Sequence, residues 1–99
     1  MRKVNIHIKG TIPLCFMKEK KSFIAFSPAL DLSTCGKTFE EAKANFKEAL
    51  EIFFEECANM GTLNKVLESC GWAKDHKNGW APPVYISEER VEIPQVASA

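Results

Sequence analysis

The sequence predicts an α+β fold: an antiparallel sheet of three to four strands packed against one long helix, with a short second helix after it. Three features point to it. Apolar residues fall on alternate positions from Val4 to Phe16, the period of a strand with one buried face. A second aromatic-rich run, Ser22 to Ser27, stops at Pro28, whose missing N–H cannot serve a ladder. From Phe39 onward apolar residues recur at helical spacing, with charges on the opposite face.

The first stripe comprises Val4, Ile6, Ile8, Ile12, Leu14 and Phe16, with Gly10 and Pro13 inside it. It is longer than an ordinary strand of roughly 5–6 residues. It reads as two extended segments, about 2–9 and 12–18, forming one bent strand or two. Lys18 to Lys21 is a polar turn, Ser22–Ser27 the next strand, and Leu30–Cys35 a further short strand ending at Gly36. Gly36 stands between that strand and the following helix, where a positive φ would explain a glycine.

Thr38-Phe39-Glu40-Glu41 fits a capping box, in which Thr38 accepts from the amide three residues on and Glu41 reaches back. The helix it opens runs over about 39–60, with Phe39, Ala42, Phe46, Ala49, Leu50, Phe53, Cys57 and Met60 on its apolar face and Gly61 as its stop. Thr62 is placed to cap a second helix to about Cys70, with Leu63, Val66 and Leu67 inward, Gly71 stopping it and Trp72 at the hydrophobic C″ position. Asn78-Gly79 signals a turn, Pro82-Pro83 is stiff, Val84 to Ile86 is extended, and Val91 and Ile93 suggest a last edge strand. Residues 1–94 are expected to form one domain, with 95–99 a flexible tail. Trp72 and Trp80 flank a polar loop and read either as rings capping the core or as interface anchors.

Thirteen Lys and Arg balance thirteen Asp and Glu over 99 residues, which argues against a dedicated nucleic-acid binder. No apolar run suffices for a membrane span or a signal peptide, so a cytoplasmic protein is expected. Cys15, Cys35, Cys57 and Cys70 form no C-x-x-C frame, and free thiols are expected rather than a metal site or a disulfide framework. There is no Gly-rich phosphate loop, no G-x-S-x-G elbow, and no set of strand carboxylates such as a metal-dependent nuclease needs; before the long helix the strands offer only Asp31. No catalytic residue, metal or cofactor is expected.

The stretch from Phe23 to Leu50 resembles the HicB-like antitoxin family. The matching pattern is an aromatic strand, a proline, a short Leu-containing strand, a glycine, and Thr-x-x-Glu-Ala opening a helix. Phe23, Ala25, Pro28, Leu30, Gly36, Thr38, Glu41, Ala42, Ala49 and Leu50 carry it, within about 11–60 of the chain. The resemblance implies a truncated ribonuclease H-like fold without nuclease carboxylates. It implies a non-enzymatic role: binding and neutralising a small HicA-like messenger-RNA interferase. Members often add a C-terminal DNA-binding domain, which the proline-containing 28 residues after Gly71 are not expected to form. Ala29 stands where members often have an acidic residue.

Charge is uneven along the chain, with a net of +5 over residues 1–22 and −4 over 38–60. Glu55 and Glu56 sit near the end of the long helix, where the macrodipole disfavours negative charge, and Glu51 and Glu55 form a like-charge pair four apart. Glu48, Glu51, Glu55 and Glu56 are therefore the candidate docking face for a basic partner, against the plain reading of a solvated face. The other function class is a solitary oligomeric structural or regulatory module. Either way unpaired strand edges predict a homo-oligomer, joined through a strand edge or the helix face.

Overall fold

The computed structural model describes residues 8, 10–74 and 79–97. Three strands, β1 (Cys15–Glu19), β2 (Ser22–Ser27) and β3 (Leu32–Gly36), form an antiparallel sheet in the order β1-β2-β3. Helix α1 (Phe39–Met60) packs on that sheet and α2 (Leu63–Ser69) follows it. A small hairpin of β4 (Ala73–Lys74) and β5 (Trp80–Ala81) completes the regular structure. The α+β architecture expected from the sequence is the one observed.

The register sorts the sheet into two faces. Phe16 pairs with Ala25 and Ala25 with Thr34, while Met17 pairs with Ile24 and Ile24 with Cys35. Pairs directly opposite share a face, so Phe16, Ala25 and Thr34 look toward α1. Met17, Ile24 and Cys35 look away from it. On the helix side Ala25, Ala42 and Phe46 are buried together, with Leu14, Phe16 and Phe23 packed around them. The Thr34 hydroxyl donates to the Ala42 carbonyl at 3.2 Å, and the Asn45 amide donates to the Cys35 carbonyl at 2.9 Å. These two bonds fix the helix against β3.

Both turns of the sheet put an L residue in the left-handed region, Lys20 and Asp31, each with φ of 52°. The second explains why β3 begins at Leu32 and not at Leu30. The Ala29 amide donates to the Ser27 hydroxyl at 3.3 Å, the chain reverses at Asp31, and Ala29 and Leu30 turn inward instead of joining the ladder. Gly36 corrects a second expectation. It is not among the residues with positive φ; it is buried, and a Cβ there would lie 2.5 Å from the Ala42 amide nitrogen. The glycine is required because the helix backbone passes too close for a side chain.

Helix α1 begins as expected: the Thr38 hydroxyl accepts from the Glu41 amide at 3.0 Å. Among the described residues the return bond from Glu41 does not form, so half of the capping box is used. Gly61 ends the helix at φ 72°, with its amide on the Ala58 carbonyl and the Thr62 amide on the Cys57 carbonyl, the two bonds of a Schellman motif. The same pair recurs after α2: the amide of Gly71, φ 86°, donates to Glu68, and that of Trp72 to Leu67. Thr62 does not cap α2, because its hydroxyl donates backward to the Cys57 carbonyl at 3.5 Å.

A second core lies under the far half of α1. Ala29, Leu30, Leu67, Trp72 and Trp80 are buried together, against Leu50, Phe53, Phe54 and Leu63. The Trp72 indole N–H donates to the Ala29 carbonyl at 2.8 Å, tying the end of α2 to the β2–β3 turn. Both tryptophans are thus core residues. The apolar face of α1 departs from the expected one at its ends: Met60 is exposed, and Phe39 is 42% exposed though its ring lies 4.2 Å from that of Phe16. Phe54 joins the core instead, edge-on to Trp72.

The expected strand over 2–9 lies outside the described residues except for Ile8, which makes an isolated parallel bridge with Trp80. The expected edge strand at Val91 and Ile93 does not form. Residues 82–97 contain no helix or strand, and both side chains are exposed. Alternation over so short a segment cannot hold a strand with no neighbouring strand to bond.

Candidate partner-binding site

Helix α1 positions the candidate acidic face. Its sheet-facing side is occupied by Ala42 and Phe46 and further along by Leu50 and Phe53, so the remaining arc has to face solvent. Glu48, Glu51, Glu55 and Glu56 are all exposed on it. Glu48, Glu51 and Glu55 follow one another at helical spacing along a single stripe, which Glu41 extends seven residues toward the N-terminus. At 1.5 Å per residue the stripe from Glu41 to Glu55 is about 21 Å long. Glu56 lies to its side. No basic residue occupies the last turn of the helix, so α1 itself offers nothing there to offset the carboxylates or the helix dipole.

The sequence reading missed the centre of this face. Ile52 is 46% exposed, and its neighbours three and four residues away along the helix include Glu48, Glu55 and Glu56. It is a single apolar side chain among charged ones on the solvent face of α1. The signal was present in the sequence as an isoleucine out of phase with the buried stripe.

Six of the residues that carry the resemblance, Pro28, Leu30, Gly36, Thr38, Glu41 and Ala42, do a different job. Leu30 and Ala42 are buried, Gly36 admits the helix backbone, Thr38 caps it, and Pro28 and Glu41 are exposed near these points. Five of the six sit where the β2–β3 turn and the start of α1 are shaped, and the sixth, Glu41, belongs equally to the acidic stripe.

Other chemistry is sparse. Cys15, Cys35, Cys57 and Cys70 are free thiols. Among the described residues no group of three or more His, Cys, Asp or Glu side chains could hold a metal ion. No helix among them is long and apolar enough to cross a membrane. No family model, no curated protein and no solved structure matches the chain.

Proposed function

We propose that this protein is a non-enzymatic binding protein of the HicB-like antitoxin type, which engages and neutralises a small, basic, HicA-like messenger-RNA interferase in the cytoplasm. One observation carries the reading: α1 presents an exposed glutamate stripe, with Ile52 at its centre, whose charges oppose the stability of their own helix. A nuclease that grips an RNA backbone needs a cationic surface. A rigid acidic helix can cover that surface and exclude the RNA, steering association by charge and holding the complex through the apolar centre. The resemblance around Phe23 to Leu50 names the toxin class.

The test is binding to a HicA-like protein encoded beside this chain. Reversal of Glu48, Glu51, Glu55 and Glu56 to Lys leaves folding intact, because all four are exposed. It lowers the association rate by roughly tenfold or more at low salt and flattens the salt dependence. Unchanged affinity and salt slope refute the acidic-face mechanism. A second reading, a solitary oligomeric module, is favoured by a separate observation: among the described residues Met17 on the outer face of the sheet and Val84, Ile86, Val91 and Ile93 after β5 are exposed.

A further inference from the structure

Two apolar surfaces lack a partner among the described residues, and their net charges are opposite. The first is the outer face of the sheet. The register places Cys15, Met17, Ile24, Phe26 and Cys35 on the side away from α1, and none of the five packs against either core cluster. Toward the β1–β2 turn this face forms an open groove of about 500 Å³, where Ile24, Cys35 and Ser22 meet Lys20, Lys21 and Glu19, two basic groups against one acidic.

The second is the arm that follows the β4–β5 hairpin. Val84, Ile86, Val91 and Ile93 all project into solvent, Ile86 and Ile93 at 92% exposure. Glu88, Glu89 and Glu92 outnumber the single Arg90. The chain measures 54 × 30 × 27 Å with a radius of gyration of 16.6 Å, well above the ~13 Å of a compact globule of about 100 residues.

We infer that residues 84–93 of one copy seat on the outer sheet face of a second copy, with Glu88, Glu89 and Glu92 against Lys20 and Lys21, and that the exchange is reciprocal. The arm is not seated on its own groove, since Val84, Ile86, Val91 and Ile93 are exposed. Pro82 lies beside Gly10 and Pro83 beside Gly71, so the arm starts ten residues of chain away from Lys20, a contour of up to about 30 Å. A twofold axis lets each copy give one arm and receive one, so both apolar surfaces are covered at once. Ten arm residues and a groove from each copy bring on the order of 20 residues a side into contact, the size of a standard stable interface. The acidic face of α1 lies on the other side of the sheet and stays free, so this exchange is independent of the proposed toxin binding.

The experiment is light scattering on the full chain at tens of micromolar, with two charge reversals: Lys20→Glu with Lys21→Glu, and Glu88→Lys with Glu89→Lys and Glu92→Lys. All five residues are exposed, and circular dichroism verifies that each variant is folded. The unaltered chain is a dimer. Each reversal alone raises its dissociation constant by roughly tenfold or more, and mixing the two variants restores a heterodimer, because both arm–groove contacts then pair opposite charges. A monomeric unaltered chain overturns the proposal, as does a dimer that either reversal leaves intact. Failure of the mixture to reassociate also overturns it.

Discussion

The same helix meets its two halves of the core in opposite ways. Along its first turns α1 lies almost backbone to backbone on β3, with Gly36, Ala25 and Ala42 giving way between them. Along its last turns it is held off by large side chains, with Phe53 and Phe54 packing against Leu67, Trp72 and Trp80. Close approach and volume filling are two routes to the same dense interior. They differ in what they tolerate: the first region resists any added atom, the second any lost one.

The largest effect tests the filled half. Leu67 is fully buried and is the largest side chain to be so among the described residues. Leu67→Ala leaves a cavity that its ring-shaped neighbours cannot close, and costs about 3–5 kcal/mol. In a domain of this size that lowers the Tm by well over 10 °C, readable by thermal denaturation. A loss below about 1 kcal/mol shows that α2 collapses onto the gap, and the contrast between the halves fails.

Next is the close-packed half. Gly36→Ala places a methyl 2.5 Å from the Ala42 nitrogen, and backbone has to move; a loss of about 2–3 kcal/mol is expected from denaturant titration. Gly61→Ala is the control. That glycine has φ of 72° with nothing within 4 Å of a Cβ, so only the left-handed backbone is strained, at about 1 kcal/mol. Equal losses at the two positions mean that Gly36 is a matter of conformation and not of space.

The smallest change separates polar from apolar terms within the filled half. Trp72→Phe removes the indole N–H that satisfies the buried Ala29 carbonyl and part of the ring. It costs about 1–3 kcal/mol, and amide exchange at the β2–β3 turn quickens with it. Unchanged exchange there dissociates the hydrogen bond from the rigidity of the turn.

Much of this architecture is legible because it is local. Thr38 as a cap, Gly61 and Gly71 as stops, and the 22-residue span of α1 depend on residues within one or two turns of each other. The strand Ser22–Ser27 is equally local in its pattern. The acidic residues were also legible as a set, since a helix of known phase assigns every side chain to a direction. Ile52 was missed because apolar residues on a helix are first counted toward the core. Thr62 departs from the expectation because its hydroxyl donates back to the Cys57 carbonyl and accepts from no amide of α2.

The sequence by itself determined the local patterns: which residues alternate, where the long helix starts and stops, and which of its faces is charged. Those follow from backbone sterics and side-chain periodicity, which act over a few residues. Only the tertiary structure decided why Gly36 has no side chain, why Leu30 turns inward, and why Val91 and Ile93 stay unpaired. Each depends on what lies opposite in space. A glycine's pattern in sequence is the same whether it serves torsion or clearance, and an alternating segment becomes a strand only when another strand takes its hydrogen bonds.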